Sequence, residues 1–207
     1  MVLFSYIITR DYGFAPNPFP PYCTLATCKP FIREHANSGD WILGFGSAAK
    51  GGSMKGRLVY AMQVQGKLTF DQYWNDSRFF YKRPVMNGSK KQRYGDNIYH
   101  TDERTKFFIQ EDSHHSLQNG LVNKDNYTRD LRSKYVLISQ KYWYWGKDAV
   151  RVPSKYQVFI HKGIGQKKVQ NDALILNFVT WLESMGSLGY IGAPFKFQRD
   201  FERYNGK

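Results

Sequence analysis

In this 207-residue chain the plainest candidates for acid–base chemistry are Asp112, His114 and His115, three residues of one short polar stretch. Histidine titrates near neutrality, so a histidine beside a carboxylate can accept and return a proton during a reaction. No nucleophile is signposted with them. There is no Gly-x-Ser-x-Gly elbow, no HExxH, no P-loop and no Gly-x-Gly-x-x-Gly fingerprint. A solvated or structural histidine pair is therefore the competing reading. Cys23 and Cys28, with His35 nearby, have a spacing that zinc tolerates, but a fourth ligand is not evident and His100 lies far along the chain. The deaminase pattern, His-x-Glu with a later Pro-Cys-x-x-Cys, is absent. Buried small thiols are the better reading, with no metal and no cofactor expected. A nucleophilic Cys23 or Cys28 stays as the lesser alternative, because a helix start and Lys29 favour a thiolate.

Binding chemistry is easier to place. In the loop Arg10 to Tyr22, Arg10 suits a phosphate or base edge and Asp11 an exocyclic amine. Asn17 lies in the same loop, and Tyr12, Phe14 or Phe19 can stack on a base, an interaction worth about 1–3 kcal/mol. The alternative is an internal Arg10–Asp11 pair with the aromatics as a lid over the core. A second platform is Tyr142-Trp143-Tyr144-Trp145. In a strand Trp143 and Tyr144 point to opposite faces, so one face can pack inward while the other meets a ligand. Lys141 and Lys147 flank it as phosphate contacts. Phe45-Gly46-Ser47 and the Gly/Ser/Lys loop after it, with Lys50, Gly51-Gly52 and Lys55, complete the candidate ligand surface.

The elements that must hold these residues are mostly strands. Leu3 to Thr9 is β-branched and aromatic and predicts a first, central strand. Thr24 to Ala36 reads as helical, with Pro30 as a restart at a first turn. The Gly39-Asp40 turn leads into an apolar strand (WILGFGS), a flexible loop and an antiparallel strand from Gly56 to Val64. Thr69 or Asp71 caps a short helix. Residues 81–130 read as a long loop excursion, apart from a strand candidate at Thr105 to Gln110. Tyr135 to Gln140 is a further strand. From Gln170 to Met185, Leu174, Ile175, Phe178, Val179 and Leu182 recur at helical spacing behind an Asn171 or Asp172 cap.

Composition narrows the partner. Lys and Arg number 30 against 17 Asp and Glu, a formal net charge of +13, and 17% of residues are aromatic. That balance favours a polyanion, against the bland reading of a merely soluble basic surface. Met1-Val2-Leu3-Phe4 lacks a basic leader region and no apolar run spans a bilayer, so a cytoplasmic protein with no membrane partner is expected.

The order of YIITRDYGFAPNPF, GDWILGFGS and GRLVYAMQVQ…YWNDSRF resembles the PUA-like superfamily, in particular its EVE, ASCH and YTH branches. Over most of the chain, TRDYGFAPNPF, CTLATCKPFIR, SGDWILGFGS and YWYWGKDAVRVP resemble the second of the nucleotide-modification-associated domain families of bacteria and phages. The resemblance implies an α+β fold: a PUA-like mixed β-barrel with flanking helices and an elaborated C-terminal half. The expected division is one domain over 1–207, with 1–80 as the first half of the barrel and 131–207 as closing strands and C-terminal helix. The implied function is a nucleic-acid or nucleotide binding module for a modified or flipped base, in a DNA-modification, phage or defence setting. The alternatives are an enzyme acting on a modified nucleotide through the Asp112–His115 loop, and an interaction module whose ligand is a small nucleotide.

Overall fold

The computed structural model describes residues 1–47, 54–163 and 165–206. Lys50 and Gly51-Gly52 of the expected ligand loop lie outside them. The strands are β1 (Leu3–Ile8), β2 (Cys23–Leu25), β3 (Trp41–Gly46), β4 (Arg57–Gln63), β5 (Gly66–Thr69), β6 (Tyr99–Thr101), β7 (Phe108–Gln110), β8 (Tyr135–Ser139), β9 (Tyr142–Tyr144), β10 (Val150–Arg151), β11 (Gln166–Val169) and β12 (Gly189–Tyr190). Among the described residues five α-helices join them: α1 (Pro30–His35), α2 (Phe70–Asn75), α3 (Lys90–Arg93), α4 (Lys124–Asp130) and α5 (Asp172–Glu183).

The main sheet runs β11-β1-β3-β4-β9-β12, with β10 also paired to β4. β1 and β3 are parallel, as are β9 and β12; the other pairs are antiparallel. A second sheet, β2-β8-β5, and the β6–β7 hairpin complete the set. Among the described residues no sheet closes on itself, so the expected barrel is replaced by an open, layered α+β arrangement. The sequence of β3 explains the difference. All six of its residues are buried, alternately into two cores, so the sheet needs a cover on each face. Trp41, Leu43 and Phe45 pack with Ile175, Phe178 and Leu182 of α5. Ile42 faces the opposite way, into a core shared with Tyr60, Leu137, Leu25 and Ile32. Gly44 lies under the Tyr60 ring and Ile8; a Cβ there would come within 2.4 Å of both.

Helix α5 forms as its periodicity predicts, with Asn171 Oδ1 accepting the Leu174 N–H. Burying its three core side chains is worth about 1.5–3 kcal/mol each. The Thr69 cap of α2 forms with a reciprocal Gln72 contact. The expected helix over 24–36 is shorter, because Cys23–Leu25 pairs with β8 and α1 starts only at Pro30. The stretch 81–130 is not an unstructured excursion. It holds α3, the β6–β7 hairpin and α4, and buries Tyr94, Asp96, Asn97, His115 and Asn126. At the Gly39 turn (φ 91°), Asp40 accepts the Val2 and Asn37 N–H groups at 2.7 and 3.0 Å. No helix among the described residues is long and apolar enough to cross a membrane.

Candidate functional site

Because β1 and β3 are parallel and in register (Ile8 opposite Gly46), their carboxyl ends deliver Thr9-Arg10 and Gly46-Ser47 side by side. They open into a cleft of about 1880 Å³. Arg10 and Lys29 enter it from the segments after β1 and before α1, and Lys55 and Arg57 from the start of β4. Arg129 and Arg132, Arg151 of β10, and Lys162 complete the cationic lining. No aspartate or glutamate lines the cleft among the described residues. Charges of one sign on low-dielectric walls focus a field that draws in anions. Two of the arginines are already oriented: Arg10 and Arg129 lie over the ring of Tyr204, 4.9 and 5.2 Å from its centroid.

The floor is a different kind of chemistry. Cys28 Sγ lies 3.7 Å from His115 Nε2, and His115 Nδ1–H donates to Asp130 Oδ2 at 2.6 Å. Asp130 is wholly buried and accepts two further bonds, from the Tyr99 hydroxyl at 3.1 Å and the Cys28 N–H at 2.9 Å. Burial alone would strip the proton from His115. Asp130 and Cys28 outweigh it, and its pKa is pushed up to about 9. Asp130 is held below the usual carboxylate range against the same burial, by His115 first and then by Arg33 and Arg129. Cys28 and Lys29 both have left-handed backbone (φ 56° and 39°), a conformation that costs of order 1–3 kcal/mol per residue and gathers at functional sites. Arg33, fully buried, holds this corner together. It donates to the carbonyls of Cys28 (2.8 Å), Ser133 (2.8 Å), Tyr135 (2.7 Å) and Asp130 (2.5 Å).

The adjacent histidine behaves oppositely. His114 is packed among Tyr12, Phe14, Tyr94 and Tyr204. Its Nδ1 donates to the Glu202 carbonyl, and burial, with the charge on His115, drives its pKa down to about 3. It is neutral at physiological pH. Asp112 does not line the cleft. It is paired with Arg203 Nη1 at 2.5 Å and accepts the Ser116 hydroxyl at 2.9 Å, which braces the turn carrying both histidines.

Of the residues expected to bind ligand, Arg10, Tyr12, Phe14, Gly46 and Ser47 border the cleft, as does Lys55 of the expected phosphate contacts. Tyr12 and Phe14 show only their edges, being 2% and 3% exposed. The others lie elsewhere. Asp11 is buried and bound by the Tyr144 hydroxyl at 2.7 Å, which also rules out an Arg10–Asp11 ion pair as its main partner. Asn17 is a buried anchor for Lys82 Nζ at 2.5 Å. Phe19 and Phe45 are core residues. Trp143 and Tyr144 do point to opposite faces, but each face is covered, so neither is a stacking platform. Lys141 pairs with Glu183 at 2.8 Å, and Lys147 is exposed outside the cleft. The buried-thiol reading holds for Cys23, whose pKa burial raises to about 12, but not for the partly exposed Cys28.

Sequence reasoning passed over Phe31, Arg129, Arg151 and Tyr204, and gave Cys28 only a minor place. The Cys28-Lys29-Pro30 run at a helix start carried a signal. Nothing in the chain pattern announced that Asp130 would stand behind His115.

The fold and site together define a mixed α+β protein built around a cationic cleft with Cys28 and His115 on its floor and the buried Asp130 behind them. No curated protein and no solved structure matches the chain. The model of one family does, over residues 1–201: the chain belongs to the nucleotide modification associated domain 2 family. That family name sets it in the context of nucleotide modification.

Proposed function

We propose that the cleft binds a nucleotide, free or as an exposed unit of a nucleic acid, through its phosphate groups. The observation that carries this reading is the cleft wall: Lys and Arg from six separate segments converge on it with no lining carboxylate among the described residues. Arginine forks suit phosphate oxygens bidentately, and Arg10 is pre-oriented on Tyr204 for that use. Among the described residues a base has one aromatic partner at the cleft, Phe31, 41% exposed and stacked on His35 at 4.2 Å. A modified or flipped base fits the same reading, since a concave pocket reaches only a base that has left its stack.

Fluorescence anisotropy with a labelled 12-mer single strand, and thermal shift with dCMP, dTTP and inorganic phosphate, test it across 50–300 mM salt. Polymer binding should weaken steeply with salt, with a log–log slope near −0.7 per phosphate neutralised. Arg151→Gln, losing one phosphate contact, should lower that slope by about 0.7. A mononucleotide that stabilises the fold with little salt dependence identifies the free-nucleotide source. If neither source binds at 50 mM salt, or inorganic phosphate binds as tightly as every nucleotide, the proposal fails.

A further inference from the structure

We propose that the cleft floor is an active site in which Cys28 is a covalent nucleophile, its sulfur paired as thiolate with the imidazolium of His115, which Asp130 holds in position. The substrate class, an electrophilic sp2 carbon on a phosphate-bearing molecule, rests on the nucleotide reading above; the nucleophile does not. The geometry has the three parts such chemistry needs. The nucleophile reaches the cleft, the base stands 3.7 Å from it on Nε2, and the orienting carboxylate takes the opposite ring nitrogen at 2.6 Å. His115 itself carries a proton at neutral pH, its pKa raised to about 9 against burial, by Asp130 first, and its Nε2 faces the Cys28 sulfur.

In the proposed step the Cys28 sulfur forms a bond to the sp2 carbon. The π pair of that carbon moves to its attached oxygen or nitrogen, and His115 Nε2 returns the proton to the atom that receives the pair. Charge, atoms and electrons balance without an oxidant or other co-reactant. A soft thiolate favours carbon over phosphorus.

Cys28, His115 and Asp130 also lie close enough to hold a metal ion. Against that, both oxygens of Asp130 and the Nδ1 of His115 are already bonded within the protein. Arg129 Nε stands 3.8 Å from Asp130, and the cleft above is cationic. A cation there would have two protein ligands and like-charged neighbours.

Alkylation of the full chain, read by peptide mass spectrometry, decides the matter. With iodoacetate at pH 6.0, Cys28 should react at least tenfold faster than glutathione, and Cys23 not at all. Its rate should change less than threefold from pH 6 to 8. Asp130→Asn and His115→Gln should each slow the reaction at least tenfold at pH 6.0. Should those variants not fold, the wild-type profile decides alone. A rate climbing about tenfold per pH unit towards 8.5, as for an ordinary thiol, overturns the proposal. So does stoichiometric metal in the purified protein whose removal by EDTA unmasks Cys28. Protection by dCMP or the 12-mer ties the nucleophile to a nucleotide. A fast Cys28 that neither protects leaves the nucleophile standing and overturns the substrate class.

Discussion

Replacing His114 by Gln should change how the protein responds to acid more than it changes any chemistry at neutral pH. In the folded chain His114 loses its proton near pH 3, because it is buried and faces a charged His115. In the unfolded chain it titrates near 6.5. The unfolded state therefore takes up the proton first, and stability from this residue is present above pH 6.5 and lost as pH falls towards 3. Between pH 7.0 and 4.5 that loss is about 2.5 kcal/mol, nearly the full 1.36 kcal/mol for each of the two units below 6.5. His115 stays charged over this interval, and the surface carboxylates titrate alike in both proteins, so their contributions cancel in the comparison. Urea unfolding at the two pH values measures it. The variant loses packing and is less stable at both, but its drop from pH 7.0 to 4.5 should be smaller than the wild type's by about 2.5 kcal/mol. Equal drops would mean that His114 titrates freely, which would refute a neutral, tightly packed cleft floor.

NMR titration should place His115 near pH 9 in the wild type and markedly lower in Asp130→Asn, where Cys28 alone opposes burial. An unmoved midpoint would remove the ion pair. The stability His115 supplies is complete below pH 6.5 and disappears as pH rises through about 9, so wild-type Tm should fall over that range more than Asp130→Asn does. Arg33→Met strands the buried Asp130 and the carbonyls Arg33 binds, a loss of about 3–5 kcal/mol and roughly 10 °C in Tm; a melt within 2 °C of wild type contradicts the clamp. Gly44→Ala pushes a methyl into Ile8 and Tyr60 and should cost about 1–3 kcal/mol by urea unfolding, with a neutral result showing that β3 can shift away.

Local rules read the elements well where one element decides for itself. Asn171 and the apolar stripe of α5, the Thr69 cap and the strand–loop–strand around Gly46 were all legible because period and capping are local. The closure of the sheet was not. Burial on both faces of β3 admits a barrel wall or a layer, and only the placement of α5 and β8 decides. The floor of the cleft failed to show for the same reason. Cys28, His115 and Asp130 are linked by bonds spanning 102 and 15 residues, and a lone Cys-Lys-Pro gives no hint of its partners. The aromatics misled because Tyr142 to Trp145 has the composition of a stacking surface but lies in and just after a strand covered on both faces.

The segment from Phe201 to Tyr204 has a consequence for how the molecule is made. Tyr204 N–H binds the His114 carbonyl at 2.7 Å, Glu202 takes the Tyr12 hydroxyl across 190 residues, and Arg203 secures Asp112. A nascent chain therefore carries Cys28 out of the ribosome long before the roof over His114 exists. Contacts of such sequence separation form slowly. Until they do, His114 lies in a half-built cavity open to solvent, and the neutral packing around it comes late.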